Sequence, residues 1–226
     1  MWNILSVVWS GWDKVCGRLA AKAVKRKRGK IMPDITDINK TYGEHRVQEH
    51  FSLHIEEGRT TCIMGRSGCG KTTLLRILMG LEQADEDFGG SREMAAMKKS
   101  AVFQEDRLCE NLSVMANIRL TCPDRTKAQI QEEMREVDLE GCAGQPVHEL
   151  SGGMKRRVAL LRALLAPGDI RFLDEPFKGL DEETRQKVIA YTARKCQGRT
   201  VLFVTHDERE AGLMKAAAVI SMEALC

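Results

Sequence analysis

The chain has 226 residues, of which 43% are hydrophobic and 30% charged, a balance typical of a globular protein with one large domain or two small ones. It contains no continuous run of about eighteen apolar residues, which excludes an integral membrane protein. Its eight cysteines form neither a C-x-x-C pair nor a Cys/His cluster at metal spacing, which indicates reduced thiols in a cytosolic chain.

The net charge of +3 is distributed unevenly along the chain. Residues 1–30 carry eight basic side chains against Asp13 alone, so this segment holds a charge of +7 and the rest of the chain −4. A slightly acidic body lacks the basic face that supplies most nucleic-acid affinity, and we expect no nucleic-acid partner. The change of composition predicts a basic N-terminal tail, 1–30, and a separate body, 31–226.

Strand and helix patterns alternate in the first part of the body. An extended stretch begins at about residue 32. Apolar residues of one parity between Val47 and Ile55 predict a half-buried strand that turns at Glu57-Gly58 into a second strand, 60–64. A glycine-rich loop and a helix that starts near Lys71 follow. These patterns predict an antiparallel β region on the N-terminal side of the body.

The second part of the body alternates in the same way. Residues 113–139 read as helical, and a helical run 152–165 ends before Pro167-Gly168. After it we predict a strand 170–173, a helix from about Asp181, a strand 201–205, a short helix and a last strand 218–222. The order predicts an α/β fold with a largely parallel sheet and a helical insertion at about 105–165.

The glycine-rich loop fits the phosphate-binding pattern G-x-x-x-x-G-K-[ST] between a strand and a helix. Loop amides and the helix N-terminus favour phosphate oxygens, Lys71 can reach the β and γ phosphates, and Thr72 can place its hydroxyl on Mg²⁺. A turn that merely caps the helix is the alternative, and the strand and helix on either side favour a nucleoside triphosphate site. The predicted binding residues are Gly65, Arg66, Ser67, Gly68, Cys69, Gly70, Lys71, Thr72 and Thr73.

The segment Leu150-Ser151-Gly152-Gly153-Met154 opens the helical run 152–165. Ser151 is a candidate N-cap, and Gly152 and Gly153 free backbone amides to approach a phosphate. With the following K-R-R-V-A-L-L-R-A-L-L, the segment resembles the signature motif of ATP-binding-cassette (ABC) proteins, except that Met154 replaces the usual Gln. A Ser-Gly-Gly sequence is by itself more often a simple cap, but its place between the phosphate loop and an acidic pair favours the motif.

That acidic pair, Asp174 and Glu175, ends a short apolar strand that Arg171 interrupts. In phosphate-loop ATPases an aspartate at this place helps to hold Mg²⁺, and a neighbouring acid polarises the attacking water. We therefore assign Asp174 to the metal and Glu175 to general-base catalysis, with surface carboxylates as the alternative. Followed by Pro176-Phe177, the pair resembles the second nucleotide-binding motif and the catalytic glutamate of the same family.

Four weaker signals occur in the order expected for the family. Tyr42, which we place before the first hairpin, resembles the residue that stacks on adenine. Gln104 resembles the glutamine that contacts Mg²⁺ and the water, Asp181 the aspartate loop between two subunits, and His206 the histidine that reaches the γ phosphate. A single residue of any of these types is more often structural. The resemblance to the family therefore depends on the order in which the signals occur along the chain.

The resemblance implies how such a chain works. It implies an ATPase with a P-loop NTPase core that uses ATP and Mg²⁺ and buries ATP between the phosphate loop of one chain and the signature helix of a second, so that a homodimer forms. Permease subunits would dock near Gln104, which places the protein in the cytoplasm on the inner face of the cell membrane. An extracellular solute-binding protein would be an indirect partner.

Residues 102–108 and the sequence Asp174-Glu175-Pro176-Phe177 look most like the nitrate, sulfonate and taurine import subgroup. A soluble ABC ATPase of DNA repair, translation or cluster assembly is the alternative, and so is a regulatory module that binds nucleotide without hydrolysing it. Such a module is expected to lack Glu175 or His206, and both are present.

The tail has an amphipathic helical pattern that the family does not explain. Apolar residues recur at three- and four-residue steps, and all three tryptophans, Trp2, Trp9 and Trp12, lie there. One interpretation is an interfacial helix on anionic lipid. The other is a helix packed on the body, or a gene start placed too far upstream.

Overall fold

A computed structural model describes residues 32–222. The predicted tail, 1–30, lies outside the described residues, and so does its amphipathic pattern. Within residues 32–222, every helix is too short or too polar to span a bilayer. The six cysteines of this part of the chain are free thiols, and only Cys109 among them is exposed.

The strands of the described residues form two sheets. The first is an antiparallel pair, and the second has five parallel strands in the order β4-β5-β6-β3-β7. This arrangement confirms the predicted α/β fold with a largely parallel sheet and an antiparallel β region. The strands are β1 (Ile35–Tyr42), β2 (His45–Leu53), β3 (Thr60–Gly65), β4 (Lys99–Val102), β5 (Ile170–Asp174), β6 (Thr200–Val204) and β7 (Ala218–Met222).

Helices lie near the predicted positions, but the stretch 113–139, which was predicted as helical, contains two helices, α3 and α4, separated by residues 120–126. Ile130, Met134 and Val137, which the pattern placed on one helical face, are all buried. The sequence did not predict the short helix α2 or the strand β4. The helices are α1 (Lys71–Met79), α2 (Ser91–Ala95), α3 (Val114–Arg119), α4 (Lys127–Arg135), α5 (Gly152–Leu165), α6 (Glu182–Cys196) and α7 (Glu208–Leu213), with a 3₁₀ turn at Val147–Glu149.

The first hairpin differs from the prediction. β2 pairs with β1 and not with β3, which lies in the parallel sheet, so Tyr42 ends the first strand of the hairpin instead of preceding it. The two-residue turn after Tyr42 contains Gly43 at φ 60°, a conformation that tight hairpin turns require and that glycine adopts without strain. The Glu57-Gly58 turn therefore connects two sheets.

The parallel sheet is covered on both faces. All residues of β5 and β6 are buried, and neighbours such as Phe172 and Leu173 belong to two separate hydrophobic clusters. Arg171, which interrupts the apolar run of β5, is also buried and donates a hydrogen bond to the carbonyl of Leu164 over 3.3 Å. Parallel strands buried on both faces present their carboxyl ends at one edge, where ligands bind in open α/β sheets.

Candidate active site

Three adjacent parallel strands bring the candidate residues to one edge of the sheet. β3 leads into the phosphate loop, β5 ends at Asp174, and β6, which lies between them, leads to Thr205 and His206. Because the three carboxyl ends are neighbours, side chains from distant parts of the sequence meet there.

The phosphate loop needs glycine at two positions for different reasons. Gly70 has φ 90°, and a Cβ there would lie 2.5 Å from Nε2 of Gln48. At Gly65 a Cβ would lie 2.4 Å from the carbonyl oxygen of Met222 in β7. Gln48 is itself buried and donates a hydrogen bond to the carbonyl of Gly70 over 3.1 Å. The loop is thus enclosed by β2 on one side and β7 on the other.

Lys71 is buried at the start of α1, and its ammonium group lies inside the phosphate loop. Nζ donates hydrogen bonds to the carbonyls of Gly65 and Arg66, each over 2.8 Å. The loop therefore encloses the Lys71 ammonium beside the N-terminus of a helix, and both features favour binding of an anion.

Thr72 and Asp174 form the next pair. Thr72 Oγ1 donates a hydrogen bond to Asp174 Oδ2 over 3.0 Å, and Asp174 is buried. Burial raises the pKa of Asp174, while the hydrogen bond from Thr72 acts in the opposite direction. A hydroxyl and a carboxylate at this separation are hard oxygen donors, and they fit a Mg²⁺ ion that also contacts a bound phosphate.

Glu175 and His206 lie at the same edge. His206 Nδ1 is 3.6 Å from Glu175 Oε1, and Lys178 Nζ is 3.4 Å from Glu175 Oε2. The backbone of Glu175 has φ 44°, a left-handed conformation that costs a non-glycine residue about 1 to 2 kcal/mol. Its amide donates to the carbonyl of Val204 over 3.0 Å, which fixes this turn against β6. The carboxylate is only 19% exposed, so few water molecules can reach it.

Arg156, which the sequence did not predict as a site residue, connects several of these segments. Its guanidinium is buried in α5 and donates to the carbonyls of Asp174 over 2.8 Å and Glu175 over 2.5 Å. It also donates to the carbonyl of Phe103 over 2.5 Å and to that of Gln104 over 3.4 Å. The only sequence signal was a basic residue on the same helical face as Ala159, Leu160 and Ala163.

Gln104 and Tyr42 lie farther from these contacts. Gln104 follows β4 and has an exposed side chain. The hydroxyl of Tyr42 donates to the carboxylate of Glu82, and its ring is 46% exposed. Partial burial and then the neighbouring Glu82 raise the pKa of Tyr42, and a hydrogen bond with Thr73 lowers it. The exposed ring thus stands beside α1, which begins at the phosphate loop.

The signature segment lies on the surface. Ser151 is exposed and caps α5 by accepting a hydrogen bond from the amide of Met154 over 3.3 Å. A Cβ at Gly152 would meet only open space, and one at Gly153 would lie 3.6 Å from the carbonyl oxygen of Gly179. Asp181 caps α6 through the amide of Thr184 over 3.0 Å, which lowers the pKa of its carboxyl. These groups face outward, where a second molecule can reach them.

Comparisons with known proteins agree with this geometry. Residues 48–178 match the family model described as ABC transporter. The sulfate/thiosulfate import ATP-binding protein CysA of Nephroselmis olivacea is 35% identical over 78% of this chain and 56% of its own length. The aliphatic sulfonates import ATP-binding protein SsuB 2 of Pseudomonas fluorescens is 39% identical over 78% of this chain and 68% of its own length. This chain thus spans a little over half to two thirds of these relatives.

A third relative and two solved structures extend the comparison. The spermidine/putrescine import ATP-binding protein PotA of Clostridioides difficile is 35% identical over 83% of this chain and 58% of its own length. The ATP-binding cassette MJ0796, solved as a dimer in a post-hydrolysis state with ADP and Pi, matches with a TM-score of 0.74 and 27% identity over 86% of this chain and 97% of its own. A second dimeric structure of the same cassette gives a TM-score of 0.73 and 28% identity over 85% and 94%.

Proposed function

The chain belongs to the family of ABC transporter ATP-binding proteins, and from this membership we propose that it hydrolyses ATP to drive a membrane importer. One observation carries the proposal, which is the meeting of the Lys71 ammonium, the Thr72–Asp174 pair and the Glu175–His206 pair at one sheet edge. Hydrolysis of a nucleoside triphosphate needs a cation beside the phosphates, oxygen ligands for a metal ion and a general base, all within one site. ATP and Mg²⁺ are the cofactors of this proposal.

The phosphate loop binds the nucleotide in this mechanism. Lys71 leaves the carbonyls of Gly65 and Arg66 for the β and γ phosphates, and the loop amides from Arg66 to Gly70 bind phosphate oxygens. Thr72, Asp174 and Gln104 would hold Mg²⁺, which when bound neutralises charge on the phosphates. The exposed ring of Tyr42 stacks on the adenine.

The chain's own groups then position the water. Glu175 is a general base whose carboxylate is shielded from solvent and fixed by its turn against β6. His206 lies on the same side of the site, contacts this carboxylate and reaches the γ phosphate. Most of the catalysis is electrostatic, because the transferred phosphoryl group needs neutralisation and alignment more than covalent chemistry.

A second copy of the chain completes the site. Ser151 and Gly152 are exposed on their own subunit and Gly153 is half-buried, and we place all three against the γ phosphate held by the partner's loop. Asp181 and its loop lie beside the signature segment, since Gly153 approaches Gly179, and they contact the partner as well. The dimeric cassettes among the solved relatives support this arrangement.

The segment that contains Gln104 is the proposed link between ATP hydrolysis and the membrane permease. Arg156 joins the carbonyls of Phe103 and Gln104 to those of Asp174 and Glu175, so a movement at the surface around Gln104 is transmitted to the general base. We place permease subunits on this surface, with the protein in the cytoplasm on the inner face of the membrane and an extracellular solute-binding protein as an indirect partner.

A small solute such as a sulfonate, nitrate or taurine is the proposed cargo. The stretch 102–108, the sequence Asp174-Glu175-Pro176-Phe177 and the similarity to an aliphatic sulfonates import ATP-binding protein support it. Co-purification of the full-length chain with a polytopic permease, followed by solute-stimulated ATP hydrolysis in vesicles, tests the proposal, with Lys71→Ala as the inactive control. Hydrolysis by the purified chain that no permease captures or stimulates would instead indicate a soluble ABC ATPase.

A further inference from the structure

A groove of about 420 Å³ lies between the end of α1, the loop that follows it and α2, away from the phosphate loop. Its lining includes the apolar side chains of Phe88 and Met94. Its charged lining consists of four acids, Glu82, Asp85, Glu86 and Asp87, and one cation, Lys99. We refer to it as the acidic groove.

The acids of this groove are only partly neutralised within the described residues. Lys40 Nζ lies 3.8 Å from Glu82 and 3.7 Å from Asp85, and it donates to the carbonyl of Gln83 over 2.9 Å. Glu86 and Asp87 are exposed, and neither has an ion-pair partner between residues 32 and 222. The groove therefore keeps excess negative charge next to apolar surface.

The described part of the chain begins beside this groove. The amide of Thr36 donates to the carbonyl of Gly89 over 3.2 Å, and the amide of Gly89 donates back over 2.9 Å. A Cβ at Gly90 would lie 3.0 Å from Cβ of Pro33. Residues 33–36 are thus fixed against the end of the acidic loop, and whatever precedes residue 32 starts from this place.

The sequence immediately before this point is strongly basic. Residues 25–30 contain Lys25, Arg26, Lys27, Arg28 and Lys30 and no acid. Seven residues span at most about 25 Å when extended, so every member of this run can reach the groove. A tether this short holds the run near the acids at an effective concentration of roughly millimolar.

We propose that the basic segment 25–30 docks in the acidic groove of its own chain. The aliphatic stems of its lysines and arginines cover the half-buried ring of Phe88, while their charged ends pair with Glu86 and Asp87. Docking also brings positive charge to Glu82, which accepts a hydrogen bond from Tyr42. The tail would thus lie beside the glutamate that holds Tyr42, the residue predicted to stack on adenine. This inference concerns the tail and holds whether or not the chain serves an importer.

Carbodiimide cross-linking of the full-length chain at low salt tests the docking directly, because it joins amines to carboxylates only where they touch. We expect adducts in the monomer that link Lys25, Lys27 or Lys30 to Glu86 or Asp87, identified by mass spectrometry. Monomer without such adducts overturns the proposal. Adducts found only in covalent dimers overturn it as well, since the groove would then take the tail of a second copy.

Limited trypsin digestion provides an independent measurement, since trypsin cleaves after the same basic residues. The double variant Glu86→Gln/Asp87→Asn should be cut within 25–30 about fivefold faster than the wild type at low salt, because two charge pairs are lost. The variant Glu56→Gln/Glu57→Gln removes another exposed acidic pair and should be cut at the wild-type rate. Equal rates in all three proteins, with tail protection only on adding anionic vesicles, would show that the tail binds lipid and not the groove.

Discussion

Thr72 Oγ1 donates a hydrogen bond to Asp174 Oδ2 over 3.0 Å and so connects the first turn of α1 to the last residue of β5. The two residues are 102 positions apart in sequence, and the parallel sheet brings them together. Because the sheet holds the backbones of α1 and β5 in place, conservative substitutions of site side chains should alter ATP binding or hydrolysis while the fold remains intact.

Glu175→Gln should preserve ATP binding and remove the general base. Hydrolysis is expected to fall by about 10²- to 10⁴-fold, as for other lost general bases, and an ATP-dependent dimer should accumulate because closure is no longer followed by cleavage. Phosphate release and size-exclusion chromatography measure the two effects. Glu183→Gln changes an exposed acid on α6 and should behave as the wild type. Unchanged hydrolysis in Glu175→Gln would show that the catalytic assignment is wrong.

Lys71→Ala and Ser151→Arg should fail at different steps. The first removes the cation inside the phosphate loop and should weaken ATP binding to the monomer by about 10- to 100-fold, the worth of charge-assisted hydrogen bonds. The second should leave that affinity intact and block the ATP-dependent dimer by placing a bulky cation at the partner's γ phosphate. Thr126→Arg, which removes the N-cap of α4, controls for the lost cap. Equal loss of monomer affinity in both variants would contradict a role of Ser151 in the partner's site.

Arg156→Lys should reduce turnover more than nucleotide affinity. Lysine keeps the charge but cannot replace the planar group that donates to five carbonyls and one carboxylate, so the turn at Glu175 loses its connection to Phe103 and Gln104. We expect kcat to fall by at least about tenfold with KM nearly unchanged, and a loss of roughly 2 to 4 kcal/mol in the free energy of unfolding. Steady-state kinetics and urea unfolding measure these quantities. Arg135→Lys, at an exposed arginine of α4, should change neither, and an equally silent Arg156→Lys would remove Arg156 from the site.

Glu210 should make the stability of the protein depend on pH. Burial raises the pKa of Glu210, which accepts a hydrogen bond from Thr205 Oγ1 over 2.5 Å. The folded chain therefore binds this proton more tightly than the unfolded chain, and the contribution to the free energy of unfolding falls as pH rises through the raised pKa. Unfolding of the wild type and of Glu210→Gln between pH 4 and 8 should show the wild type losing stability relative to the variant as pH rises. Glu208→Gln is the exposed control, and a wild type that gains stability relative to Glu210→Gln would reverse the assignment.

Much of the fold followed from local patterns in the sequence. The phosphate loop, α5 and α6 have distinct boundaries, since glycines precede Lys71, Ser151 and Asp181 are N-caps, and Pro167 follows α5. β4 has only four residues, two of them polar, and so gave no periodic signal. The hairpin partner of β2 was also missed, because the extended stretch before Tyr42 has no regular alternation and its pairing contains register shifts.

The sequence identified candidate site residues mainly where a continuous motif carries the chemistry. Lys71, Thr72, Asp174 and Glu175 stand in continuous motifs, and the resemblance of these motifs to one family implied that they act in one site. Arg156 could not be recognised, because its role depends on carbonyl groups of Phe103 and Glu175 that lie far away in sequence. A basic residue within a helix usually faces solvent, and only the tertiary structure shows that this one is buried.

The place of β3 between β6 and β7 has a consequence for synthesis on the ribosome. β3 ends at Gly65, yet the two strands that pair with it begin only at Thr200 and Ala218, and the carbonyl of Met222 in β7 closes against Gly65. A nascent chain therefore exposes an apolar strand with two unpaired edges until residues 200–222 have left the exit tunnel, and chaperones bind such exposed strands. The phosphate loop therefore reaches its final packing only when β7 is in place, and a chain interrupted before β7 keeps this strand edge exposed to proteases.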